Sequence, residues 1–162
     1  MQKSDISFEI NDSKFNYRVA IIFEHNNRLL IQKSEKDSFY SLMGGKVKIG
    51  ESSIDALKRE IKEELNYNLK DEQCNLIRIY ENFFKYKNKK YHELLYIFFS
   101  KVKENDYITK KSEIKCVDKD YVNFVWIDKK SIKDLDIRPS NIKDIISDEK
   151  FRFEFIKEYK DE

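Results

Sequence analysis

Cysteine is scarce in this sequence: two residues, Cys74 and Cys116, in a chain of 162. They form no metal-binding motif and no disulfide framework, and they read as reduced thiols of a cytosolic protein. Proline occurs once, as Pro139 after Arg138, where it is expected to open a helix running through Ile146. Glycine occurs three times, and two of the three are adjacent, Gly44-Gly45. Such a pair permits backbone torsions that side chains forbid, and lets the chain approach a phosphate closely. Long apolar runs are missing. No stretch approaches transmembrane length, and the opening MQKSDISFEI has no secretory apolar run, so the expected location is the cytoplasm. An excess of one charge is missing too: 32 basic against 30 acidic residues leave a net charge of +2. That removes any strong pull toward DNA or an anionic membrane. The lysine runs 87–90 and 101–103 read as a hairpin turn and a strand end. No internal repeat is evident.

What is present fits one globular domain spanning residues 1–162, with 40% apolar and 38% charged residues. Residues 7–10 and 15–24 read as strands joined at Asn11-Asp12-Ser13, the second buried through its apolar centre Val19 to Phe23. A turn at Asn26-Asn27 returns the chain through Leu29, Leu30 and Ile31, and His25 at that turn reads as a surface residue. After a polar loop at 34–38, residues 39–43 form a short strand leading into the glycine pair. Two long aromatic strands, 76–86 and 91–102, turn at Lys87-Asn88-Lys89. Residues 103–120 lack clear period and read as a loop or insertion; 121–127 is a further strand, with Trp126 packed on the sheet. Asp128 is expected to cap a helix over 129–135, and the tail 151–162 reads as a helix, with an edge strand as the alternative. The order predicts an α/β (α+β) fold, an α/β/α sandwich around a mixed β-sheet.

The stretch Gly45 to Tyr67, GKVKIGESSIDALKREIKEELNY, organises the rest. Rotated at the helical period, Ile54, Leu57, Ile61 and Leu65 form an apolar stripe. Glu60, Glu63 and Glu64 share the flank of that stripe, and Glu64 leans toward the core side. A carboxylate at the edge of a buried face needs a base or a metal. Ser52 or Ser53 is the expected N-cap, and Asn66 is suited to the left-handed residue that ends a helix.

These residues resemble the signature of the Nudix hydrolases: G, five residues, E, seven residues, then R-E-apolar-x-E-E-x-G-apolar. Gly45, Glu51, Arg59, Glu60, Ile61, Glu63, Glu64 and Tyr67 stand at those positions, with Asn66 in place of the last glycine and Met43 where a proline is usual before the glycine pair. The resemblance implies the Nudix fold. It also implies a divalent-metal-dependent hydrolase, using Mg²⁺ or Mn²⁺, that cleaves a nucleoside diphosphate linked to another moiety. By the same resemblance Glu60, Glu63 and Glu64 hold the ions, with the Gly45 carbonyl as a further ligand. Arg59 orients the carboxylates, for example through Glu63, and Glu51 does similar work from the loop. An extra acid outside the signature often completes such sites. Glu93, set among apolar neighbours, is the candidate, with a cross-strand ion pair as its structural alternative. Any of the helix glutamates, or Glu93, serves as general base.

The partner is a small-molecule nucleotide: a nucleoside triphosphate, ADP-ribose or a nucleotide sugar. Phe39, Tyr40, Phe83, Phe84 and Tyr91 are the aromatic residues near the signature that can stack on a nucleobase. The aromatic strands also allow a homodimer. A non-catalytic sensor of nucleotides, or an isomerase or transferase on the same scaffold, are the alternatives.

Overall fold

The computed structural model describes residues 3–147 and 154–159. Its frame is a mixed sheet built from β1 (Ser7–Ile10), β2 (Ser13–His25), β3 (Arg28–Ser34), β4 (Tyr40–Ser41), β5 (Met43–Lys46), β6 (Asn75–Tyr86), β7 (Lys89–Lys101), β8 (Glu113–Lys115), β9 (Val122–Asp128), β10 (Ile137–Arg138) and β11 (Glu154–Tyr159). Among the described residues three helices accompany it: α1 (Ser53–Leu65), α2 (Lys129–Ile132) and α3 (Ile142–Ser147). None is long and apolar enough to cross a membrane. The strand order is β10-β4-β3-β2-β7-β6-β11, with β1 and β5 also paired to β2 and β9 to β3.

Strand β2 is the spine, and its alternation divides the core. Val19, Ile21 and Phe23 face α1 and pack with Leu57, Ile61 and Leu65. Ala20 and Ile22 face the other way and pack with Ile97 and Phe99 of β7 and Ile132 and Ile142 of α2 and α3. The expected sandwich is therefore present, with one full helix on one face and short helices on the other. With glycine so rare, left-handed turn positions fall to other residues: Asn26 and Asn27 (φ 47° and 57°), and Lys87 and Asn88 (φ 49° and 62°), each pair closing a two-residue hairpin.

The neighbours of β2 change along its length. Phe23 to His25 pair with β3, whereas Arg18 to Ile21 pair with β5. Strand β3 diverges to pair with β9 and β4. Residues 39–43 are therefore not one strand: Tyr40–Ser41 pairs with β3, Met43 begins β5 on β2, and Leu42 is the crossing point.

Other expectations are corrected as well. His25 is buried: its Nδ1–H donates to the Val102 carbonyl at 3.0 Å, its Nε2 accepts from Asn26 Nδ2 at 3.1 Å, and the ring lies edge-on to Trp126. The segment 103–120 has structure of its own, a 3₁₀ turn at Tyr107–Thr109 and strand β8. Asp128 makes no side-chain cap bond, and α2 stops at Ile132. Helix α3 starts at Ile142, three residues beyond Pro139, because Arg138 is held in β10 beside β4. The tail residues Glu154–Tyr159 form a strand parallel to β6, as the period-two placing of Phe151, Phe153 and Phe155 signals; residues 151–153 and 160–162 lie outside the described residues.

Candidate active site

Helix α1 begins where the Ser52 hydroxyl oxygen accepts from Asp55 N–H at 3.1 Å. It ends at Asn66, whose φ of 52° and ψ of 33° are left-handed and whose N–H reaches the Lys62 carbonyl. Both caps stand where the sequence placed them, and they fix the phase that carries the glutamates.

Arg59 is the hub. Its Nε and Nη2 grip Glu51 Oε1 and Oε2 at 2.7 and 2.9 Å, a two-pronged charged pair. Nη1 donates to Glu60 Oε1 at 2.7 Å, and Nη2 also donates to the Lys46 carbonyl at 3.0 Å. The expected bond from Arg59 to Glu63 is the weakest of the set, at 3.4 Å. These bonds to Arg59 hold the Glu51 carboxyl below its ordinary pKa, and Glu51 further accepts from Lys48 N–H. Glu51 thus staples the loop before α1 to the helix.

Gly45 lies directly against Glu60. A Cβ built there would stand 2.1–2.4 Å from the Glu60 carboxylate atoms, so a side chain at this position displaces Glu60. Gly44 has another reason to be glycine: φ is +148°, and a Cβ would meet the Val19 carbonyl oxygen of the neighbouring strand at 2.0 Å.

Glu64 is 1% exposed. Its Oε1 accepts from Lys119 Nζ at 3.1 Å, while its Oε2 is buried with no hydrogen-bond partner. Burial pushes its carboxyl up to about 7, against the pull of Lys119 and with help from the charges of Glu60 and Asp118. Glu63 is the open member of the trio, with its side chain 44% exposed. Among the described residues no three His, Cys, Asp or Glu side chains converge on one point that would hold an ion. Glu51 and Glu60 are turned to Arg59, and Glu64 to Lys119.

Glu93 is not brought to this cluster. On β7 it is level with Asn16 of β2 and Asn82 of β6, on the sheet face away from α1. It is buried in the wall of a cavity of about 600 Å³, where Arg18 Nη1 lies 3.8 Å from its Oε2 and Asn82 Nδ2 donates to its Oε1 at 3.3 Å. The cross-strand pairing that the sequence offered as the structural alternative is the one observed. Phe39, Phe84 and Tyr91 line the same cavity, and the rings of Phe84 and Tyr91 stack at 4.9 Å. Phe83 also borders it, with its ring set against His92 at 4.4 Å. Tyr40 packs at the edge of the second core cluster instead, with Lys33 over its ring. Lys119, Asp118, Arg18 and Asn82 escaped the sequence reading. Each acts across the fold, and no local pattern marks it.

Comparison with known proteins bears on the fold and the family. A family model described as the NUDIX domain matches residues 14–144. No curated protein matches the chain in sequence. Among solved structures, a mutator MutT protein from Bacillus halodurans superposes with a TM-score of 0.68 at 18% identity, covering 89% of each chain. A NUDIX hydrolase from Nitrosomonas europaea gives 0.63 at 15% identity, covering 90% of this chain and 79% of that one. The E. coli dihydroneopterin triphosphate pyrophosphohydrolase gives 0.52 at 18%, covering 82% and 91%. At these identities the superpositions speak for the fold, while the domain match extends over most of the sequence. The chain belongs to the NUDIX family, and with it to the pyrophosphohydrolases that act on nucleoside diphosphate derivatives.

Proposed function

We propose that this protein hydrolyses the diphosphate linkage of a nucleoside triphosphate, ADP-ribose or a nucleotide sugar, with Mg²⁺ or Mn²⁺ as its ion. The observation that carries the reading is the orphaned Oε2 of Glu64. A buried carboxylate oxygen without a partner is costly, and a hard cation relieves the cost. The donor set is all oxygen, which suits Mg²⁺ or Mn²⁺ over softer metals, and glycine at position 45 keeps the space beside Glu60 clear. The residues present therefore fit the ion. Glu60 and Glu64 would hold it, with the Gly45 carbonyl as a backbone ligand. Arg59 fixes the direction of the Glu60 carboxylate and, through Glu51, the loop that carries it. Glu63, least constrained of the trio, takes a ligand position or accepts the proton of the attacking water. A bound divalent ion supplies charge neutralisation for the phosphate oxygens and acidifies that water. A new P–O bond then forms to water as the bridging P–O bond breaks, leaving two phosphorylated products.

A binding-only nucleotide sensor is the second reading, favoured by one contact: Lys119 already neutralises Glu64. Turnover separates the two. A panel of nucleoside triphosphates, ADP-ribose and sugar nucleotides is assayed with each ion, alongside Glu64→Gln. Metal-dependent cleavage should fall by at least roughly a hundredfold in the variant, beyond what loss of a supporting residue around a metal site costs, while circular dichroism shows the fold intact. Tight binding of a nucleotide without cleavage by the wild type would establish the sensor.

A further inference from the structure

The cavity beside Glu93 is walled in part by β2, the strand that pairs with β5 next to the signature helix. Arg18 is level with Lys46, and Ala20 with Gly44. Arg18 and Ala20 line the cavity, whereas the Lys46 carbonyl binds Arg59 and Gly45 abuts Glu60. Adjacent strands lie about 4.8 Å apart. The cavity opens on the sheet face away from α1, so a phosphate chain running from it to the carboxylates would pass around the β5 side of β2.

Of the polar side chains in the wall, Arg18 and Asn82 are the two set against Glu93. The Glu93 carboxylate accepts only. Because Asn82 presents its Nδ2 to Glu93, its Oδ1 is left as a second acceptor, buried and without a partner. Arg18 brings donors. Its guanidinium stands 3.8 Å from Glu93, beyond hydrogen-bond reach, so its N–H groups are free for a ligand. Two acceptors beside a donor call for an edge carrying two donors beside an acceptor. Adenine offers one amino group next to a ring acceptor, cytosine one amino group next to two acceptors, and uracil one N–H between two carbonyls. Guanine alone presents N1–H and the 2-amino group side by side with O6. The stacked Phe84–Tyr91 pair and Phe39 give the cavity flat apolar surface for a purine, and its volume lies in the range of small-molecule sites.

We propose that this cavity selects guanine nucleotides, with Glu93 and Asn82 Oδ1 accepting from N1–H and the 2-amino group and Arg18 donating to O6. The proposal rests on the hydrolase reading only for the direction in which the phosphates run. Its test is equilibrium binding of GMP, IMP and AMP to the wild-type protein by calorimetry, together with turnover of GTP, ITP and ATP with Mg²⁺. IMP lacks only the 2-amino group. A buried acceptor left unpaired should weaken IMP at least roughly tenfold against GMP, and AMP further. In Glu93→Gln, which replaces one acceptor oxygen by a donor, the preference for GMP over AMP should collapse toward unity. Equal binding of GMP, IMP and AMP by the wild type overturns the proposal, whether or not the variant folds. Cleavage of all three triphosphates without preference for GTP also overturns it, and leaves the hydrolase standing. Selective binding of GMP with no cleavage of any triphosphate supports the base assignment and counts against the hydrolase.

Discussion

Glu64 carries a carboxylate that folding strips of water, and the consequence is a dependence of stability on pH. Its folded pKa, about 7, lies above the ordinary value of 4.5. The folded state therefore binds the proton more tightly than the unfolded chain. The associated stability is fully present below about pH 4.5 and is lost as pH rises through about 7. Measured by urea unfolding with a chelator present, the stability of the wild type relative to Glu64→Gln should fall over that window by on the order of 3 kcal/mol. A difference between the two proteins that stays flat with pH would show that Glu64 is not desolvated in the metal-free state. Arg59 makes a second residue-level case. A lysine at this position keeps the charge but not the fork that holds Glu51 and Glu60 at once. Arg59→Lys should weaken Mn²⁺ binding roughly 10- to 100-fold by calorimetry, the usual cost of losing a residue that orients metal ligands. Glu51 and Glu60 would then be free to turn away from the site.

At the scale of elements, β5 and α1 form one unit, and the adjacent glycines of β5 do different work within it. Gly44→Ala forces a Cβ into the backbone of β2 at a torsion that side chains rarely adopt, and neither can yield without moving a strand. It should lower stability by several kcal/mol, seen as a fall in Tm and in soluble yield. Gly45→Ala presses instead on the end of a side chain, the Glu60 carboxylate. It should leave Tm within a few degrees of wild type and lower kcat by an order of magnitude or more. If both variants lose Tm alike, Gly45 is structural as well. Helix α1 was legible in the sequence because its signals are local: Ser52 before the apolar stripe, the spacing of Leu57, Ile61 and Leu65, and Asn66 after it. The placing of Glu64 against the core followed from the same period. The break at Leu42 was not legible. It arises because β2 exchanges β3 for β5 as neighbour, and strand pairing between distant segments leaves no mark in residues 39–43.

Across the whole molecule the same division holds. The longer strands, the site helix and the hairpins closed by Asn26-Asn27 and Lys87-Asn88 follow from patterns within a dozen residues. What escaped depends on the segment 103–120 and its continuation, folded over the α1 face. It ties Tyr107 Oη–H to the Leu65 carbonyl, bonds Val117 N–H to the Glu64 carbonyl and delivers Lys119 to Glu64 Oε1. Glu93 went to the cavity because the pleat of β7 points it away from α1, and a sequence does not state which face of a strand the site helix covers. The segment also sets up a competition that the intact molecule should reveal. Lys119 on Oε1 and a divalent ion on Oε2 would both draw on the Glu64 carboxylate, so the charge of the lysine opposes the ion. A ligand that binds only the folded state at a hundred times its Kd adds about 2.7 kcal/mol, which for a chain of 162 residues is a rise in Tm of roughly 5–11 °C. Saturating Mn²⁺ should raise the Tm of the wild type by that order, and a chelator should abolish the rise. Glu64→Gln should show a much smaller shift. Lys119→Ala should start less stable, because a buried carboxylate has lost its cation, and should gain more from the ion than the wild type does. A shift equal in all three proteins would place the ion away from Glu64, and the assignment of that residue as a ligand would fall with it.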